Sequence, residues 1–328
     1  MTTFTATLTP MLTLFICIAV GFILTKFKLL PDSASKVMAK LETWVFCPAL
    51  GFMTMARFCT IETIGEHLIN IVLASIGVAF AVILATLLSR FFIKKKSSER
   101  GIYAYALAFA NGGYMGDPIV LAMFGEVILS YYKLFYLPFS LVINSWGISV
   151  MTPSNEKKGG SFKSLLNPPT VAMLLGVVVG LSGPGKHLPL VLTSSLDTLK
   201  VCMGPVAMLL AGVTIAKYDF TSMLKKRKVY IATALRLVIM PAVIVLFTFS
   251  LKTLANNLFG LSIDNNILFL TFFATAMPIG LNTIIFPEAF GGSPETGASM
   301  AMISHTLCVL SIPLMYSLMV TAFGTPFI

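Results

Sequence analysis

Residues 109–125 read FANGGYMGDPIVLAMFG, an island of potential chemistry in an otherwise apolar chain. Asn111 carries an amide that both donates and accepts hydrogen bonds. Gly112, Gly113 and Gly116 permit unwound backbone and close approach to a ligand. Asp117 before Pro118 has the form of a helix N-cap and first helical residue. The stretch TAMPIGLNTIIFPEAF, 275–290, repeats the theme with Pro278, Gly280 and Asn282. Helices restarting near Pro118 and Thr283 would each present free N–H groups and partial positive charge, which is chemistry for an anion.

Other polar residues sit inside apolar stretches. Arg236, in TALRLVIMP, is a candidate counter-charge for a carboxylate; snorkelling to an interface or pairing with an acid are its other options. Asp117 is a candidate proton carrier as well as a cap. His305 is either a proton relay or a helix histidine bonded to a neighbour. Asn144 and Ser311 either face the breaks or tie helices together, and Glu42 reads as the partner of a nearby lysine. No spacing resembles a metal-ligand cluster, a phosphate-binding loop or a nucleophile–histidine–acid set, so neither a metal, a cofactor nor catalysis is expected.

The elements that must position these residues are membrane helices. Of 328 residues, 57% are hydrophobic and 11% charged, against about 25% charged in a soluble domain. Apolar runs and Pro/Gly breaks give ten segments, near 6–25, 36–57, 67–93, 102–125, 129–151, 168–184, 187–216, 229–251, 262–288 and 296–322. The fold class expected is therefore all-α and polytopic, in a lipid bilayer. The basic residues alternate by loop: 17 of 23 fall in the groups 26–40, 90–100, 157–163 and 217–228. Arg57, Lys133, Lys186, Lys200 and Lys252 are assigned to the other side. The first side is then cytoplasmic in the cell membrane, with both termini outside. The net charge of +10 is accounted for by topology, so no nucleic-acid partner is implied. No basic residue precedes the first apolar run, so a cleaved signal peptide is not expected. The five cysteines fall in apolar segments and read as small hydrophobes.

The chain also repeats. PMLTLFICIAVGFILTKFKLLPDS from Pro10 aligns with PPTVAMLLGVVVGLSGPGKHLPLV from Pro168, and CPALGFMTMARF (47–58) with GPVAMLLAGVTIAKY (204–218). Two halves follow, 1–151 and 168–328, joined by a linker at 152–167. Five spans per half is an odd number, so the second half enters inverted. Residues 102–110 are too short to cross a bilayer, reaching about 13 Å at 1.5 Å per residue. Broken spans at equivalent places in inverted repeats point to a midplane transport site.

Asn111, Gly113, Gly116 and Pro118 form an N-x-G-x-x-G-x-P pattern, and MPIGLN (277–282), FGG (290–292) and SHTLCVLSIPL (304–314) follow in order. In these motifs the sequence resembles the auxin efflux carrier family along essentially its whole length. The resemblance implies ten spans in two inverted five-helix repeats, with helices 4 and 9 crossing. It implies a scaffold of helices 1, 2, 6 and 7, often a homodimer, and a transport core of helices 3–5 and 8–10. Substrates implied are carboxylates: auxin in plants, and malonate, malate or oxalate in bacterial relatives. The short linker differs from the long central loop of the plant carriers, which favours a bacterial-type member. The expectation is a secondary transporter of a small organic anion, with proton or sodium co-transport left open. A sodium-coupled bile-acid-type symporter, or a sensor binding the same ligand without flux, are the other readings.

Overall fold

Long apolar runs fold into membrane-length helices here, even where Pro10, Pro205 or Pro313 lies inside them. The computed structural model describes residues 3–61, 63–152, 166–183, 188–218, 226–290 and 294–327. Among these the chain forms α1 (Thr3–Lys26), α2 (Ala34–Leu41), α3 (Cys47–Phe58), α4 (Ile64–Phe92), α5 (Ser98–Ala108), α6 (Asp117–Val142) and α7 (Ile148–Met151). There follow α8 (Pro168–Leu181), α9 (Leu190–Ala216), α10 (Arg227–Ala234), α11 (Met240–Phe259), α12 (Asn266–Ala276), α13 (Asn282–Phe290) and α14 (Pro294–Phe323). Short π turns at Glu42–Phe46, Gly112–Gly116, Ile143–Gly147 and Leu235–Ile239 join or introduce several of them. Most of the 152–167 linker, Lys186, Lys225, Gly291 and Gly292 lie outside the described residues.

Six stretches among the described residues are long and apolar enough to cross a membrane: Thr7–Lys26, Leu68–Phe92, Gly112–Met151, Leu190–Ala216, Arg227–Phe259 and Pro294–Phe323. The bent α2–α3 unit, α5, α8 and the α12–α13 pair, which fall within other expected segments, are shorter pieces. The 40-residue stretch Gly112–Met151 is not one rod. Gly125 adopts φ 80°, ψ −175°, a conformation open essentially to glycine alone. Lys133 Nζ lies 2.5 Å from Asp117 Oδ2, although sixteen helical residues would separate them by about 24 Å. The chain therefore doubles back at Gly125, midway between the two.

Small residues let the helices approach closely, as in other membrane bundles. A β-carbon on Gly212 would lie 2.0 Å from Ile18 O, and one on Gly21 2.3 Å from Leu209 O, so α1 and α9 cross in contact. On the other side, β-carbons on Gly176 and Gly180 would lie 2.5 Å from Phe52 O and 2.3 Å from Cys59 O, placing α8 directly on α3. Large apolar side chains such as Ile16, Ile83, Val201 and Leu246 are exposed, a surface suited to lipid. Basic loop ends meet: Lys217 Nζ donates to Asp32 O at 3.1 Å, and Lys228 Nζ to Phe92 O at 2.8 Å.

Candidate functional site

The two breaks come together. After α5 the chain is extended at Phe109, and after α12 it is extended at Met277. Ala110 and Ile279 pair antiparallel, and Asn111 N–H donates to Pro278 O at 2.8 Å. Backbone groups released by one break are thus partly satisfied by the other, and neighbours supply the rest. Ser304 Oγ accepts from Ile279 N–H at 3.1 Å, while Tyr136 and Tyr132 donate to Ala110 O and Gly112 O at 3.3 and 3.1 Å.

Arg236 fastens the same crossing from behind. Its guanidinium donates to Leu107 O at 3.0 Å and Thr275 O at 2.6 Å, carbonyls in the last turns of α5 and α12. The side chain is fully buried. A cation there meets the partial negative ends of two half-helices at once. Among the described residues it pairs with no carboxylate, and it is absent from the cavity lining described next. Neither snorkelling nor an acid partner describes it.

A cavity of about 290 Å³ opens beside the crossing. Asn111, Gly112, Gly113, Asp117, Asn144, Gly280 and Asn282 line it. Gly116, Pro118, Pro278 and His305 stand behind that lining and support it. Gly116 faces the Tyr132 hydroxyl, where a β-carbon would come within 2.4 Å. Pro118 packs on Gly204 of α9. Gly113 has nothing within 4 Å of a β-carbon and Gly280 has its nearest neighbour at 3.5 Å, so close packing does not require glycine at either position.

Asn111 Nδ2 lies 3.2 Å from His305 Nε2, and His305 Nδ1 lies 2.8 Å from Ala301 O. The carbonyl can only accept, so Nδ1 donates to it and Nε2 accepts from the amide. His305 therefore reaches the cavity through Asn111. Asn282 Nδ2 donates to the Tyr105 hydroxyl at 3.0 Å, and Asn144 Nδ2 to Ser140 O at 2.8 Å. Ser311 is not in the lining; its hydroxyl is buried with no hydrogen-bond partner among the described residues.

Three expectations need correction. Asp117 is not a cap: the restarted helix begins one π turn earlier, at Gly112–Gly116, and Asp117 is already helical with φ −53°. Its carboxylate pairs with Lys133 instead. Lys133 is not on an outer loop. It lies on the returning arm of the Gly125 hairpin, lines the cavity, and its side chain is 13% exposed against 4% for Asp117. Glu42 has no lysine partner among the described residues. It is fully buried in a π turn, one oxygen accepts from Cys47 S–H at 3.5 Å, and the other has no hydrogen bond among the described residues. The signal for Lys133 was present in the sequence, because a lysine in LSYYKLFYLPF is an intramembrane charge, which is functional by default.

At the far end of α3 a second charged group ties elements together. Arg57 meets Asp197 at 2.7 Å and Glu126 at 3.7 Å, and Lys200 meets Glu126 at 2.7 Å and Asp197 at 2.9 Å. The network joins α3 and α9 to the residue following the Gly125 turn. Ala39 and Asn167, which also line the cavity, lie toward the opposite end of the α2–α3 unit.

Known proteins resemble this chain in sequence. An uncharacterized transporter of Methanocaldococcus jannaschii is 24% identical over 308 residues, covering 91% of this chain and 94% of its own length. The family described as membrane transport protein matches residues 6–160 and 158–316. With both matches together spanning nearly the whole sequence, the chain belongs to the membrane transport protein family, the auxin efflux carrier-like transporters.

Proposed function

We propose that the protein is a secondary carrier moving a small organic anion, a mono- or dicarboxylate, across the cell membrane by alternating access. The observation that carries this reading is the crossing of the two breaks at Ala110 and Ile279, with restarted helix ends, Asn111, Asn282 and Lys133 around one cavity. Positive helix termini, amide donors and a lysine together favour a carboxylate. A volume of about 290 Å³ sits at the low end of small-molecule sites, roughly 300–1,000 Å³, and suits an anion of few carbons.

The packing supports ten spans in two inverted halves, 1–151 and 168–328. The contact of α1 with α9 has its counterpart in the contact of α8 with α3, the relation a pseudo-twofold axis imposes on spans 1, 2, 6 and 7. These form the scaffold, whose outer surface serves a homodimer, and α4–α7 with α10–α14 form the moving core. The basic end faces the cytoplasm and both termini face outward. The cavity reaches toward that basic end, while the network of Arg57, Glu126, Asp197 and Lys200 closes the opposite end. This is the inward-facing arrangement.

Trans-stimulation tests the reading. Proteoliposomes loaded with unlabelled malonate, malate or oxalate should take up the labelled anion faster than empty ones. Saturable binding without stimulated flux would make the protein a sensor. An affinity that rises with sodium would favour a sodium-coupled symporter.

A further inference from the structure

Resting on the anion-carrier reading, we propose that Lys133 is the group that receives the substrate carboxylate, and that Asp117 must take up a proton to release it. The substrate class follows: a carboxylate bearing one negative charge at Lys133, entering together with one proton.

The geometry separates this pair from an ordinary structural ion pair. Asp117 and Lys133 both line the cavity, and their 2.5 Å contact joins the two arms of one hairpin. Rocking of core against scaffold would leave such a contact intact, so it is not a gate between moving parts. Taking two charges out of water is costly, and apolar residues of similar volume commonly hold a buried site as well or better. The pair is therefore an expensive way to close a hairpin, and it is placed where a ligand must pass.

Charge balance supplies the mechanism. With Asp117 ionised, the pair is neutral, and an incoming carboxylate would leave an uncompensated negative charge in a buried site. Protonating Asp117 leaves Lys133 positive and unpaired, and the substrate carboxylate then takes the place of the aspartate. The lysine stays protonated throughout, the proton rides on Asp117, and Lys133 with the one carboxylate it receives is again neutral. Glu42 reinforces the requirement as a second buried carboxyl beside Cys47. The titratable and charged groups interacting with Asp117 are Lys133, Tyr132 and Tyr136 on its own hairpin and Cys47 of α3. Tyr114 and Glu42 lie beside Cys47, and Arg236 lies beyond Tyr136. The residues that α9 places against this turn, Met203 and Gly204, do not titrate. Lys133 is the only cation contacting Asp117 among the described residues.

The test is exchange uptake of labelled malonate, malate, oxalate and lactate into proteoliposomes with internal and external pH matched and varied together. Wild type should show a KM that rises about tenfold per pH unit once Asp117 is ionised, the signature of one proton per anion. Asp117→Asn should hold KM at the low-pH wild-type value, flat with pH. Lys133→Gln leaves a buried carboxylate unpaired and can fail to fold. The double variant Asp117→Asn/Lys133→Gln carries neither charge, and should melt near wild type yet raise KM roughly a hundredfold. A folded double variant with wild-type KM overturns the assignment of Lys133. A wild-type pH slope retained in Asp117→Asn overturns the proton role. Wild type moving none of the four anions overturns the anion-carrier reading itself, and the proposal with it, a result distinct from either variant outcome.

Discussion

Replacing Arg236 with Met separates two roles that the sequence leaves open, a counter-charge for substrate and a fastener of the crossing. The guanidinium donates to two buried carbonyls, Leu107 O at 3.0 Å and Thr275 O at 2.6 Å. Hydrogen bonds from a charged donor are worth about 1.5–3 kcal/mol each, so losing both removes about 3–6 kcal/mol. Not having to bury the guanidinium returns part of this, since Nε makes no hydrogen bond among the described residues; a net loss of about 3 kcal/mol remains. In detergent, that should appear as a fall in melting temperature on the order of 5–10 °C. Arg236→Lys, a point charge without the planar fork, should fall between the two. Anion binding should weaken only in proportion to the disorder of the crossing. A variant that melts with wild type but binds the anion a hundredfold more weakly would refute the fastening role and restore Arg236 as the counter-charge.

Other perturbations follow from the same geometry. Gly125→Ala forces a side chain into a conformation that glycine alone adopts freely, and should cost about 1–3 kcal/mol by thermal melting. Gly116→Ala would press on the Tyr132 hydroxyl, whereas Gly113→Ala meets open space. The first should destabilise by about 1–3 kcal/mol, and the second should leave the melt unchanged while narrowing the cavity and raising the KM for the anion. Asp197→Asn weakens contacts to Arg57 and Lys200 that are about one-third exposed on the carboxylate side, so the melting temperature should shift by the equivalent of ~1 kcal/mol or less. A larger loss would show that the network is more deeply desolvated than its exposure indicates.

Much of the organisation was legible because it violates the local rule of the chain. In a sequence that is 57% hydrophobic, Asn, Gly and Pro clustered at 111–118 and 278–282 stand out, and in lipid such breaks survive only around a cavity. The structure brings both breaks to one place. The restart of the first broken helix was harder to place, because Asp-Pro imitates a start signal while the π turn Gly112–Gly116 begins the helix a turn earlier; the second restarts at Asn282, beside the expected Thr283. Lys133 was misplaced for a related reason. Its position near the start of an apolar run made it look like a loop charge, and only the reversal at Gly125, an ordinary glycine in the sequence, folds it back onto Asp117. Arg236 was recognised as costly, but its partners are backbone carbonyls 129 and 39 residues away in sequence, which no local pattern encodes. Glu42 illustrates the same limit: nearby lysines suggested a partner that the helix does not provide.

The central claim is that the crossing of the two breaks is a transport site for a small organic anion. The most direct measurement is uptake of labelled malonate, malate and oxalate into proteoliposomes by wild type and by Asn111→Ala, with folding checked by thermal melting. The account predicts saturable uptake of at least one anion by wild type, abolished in a variant that remains folded. Uptake undiminished in Asn111→Ala, or no uptake of any anion by folded wild type, would contradict it.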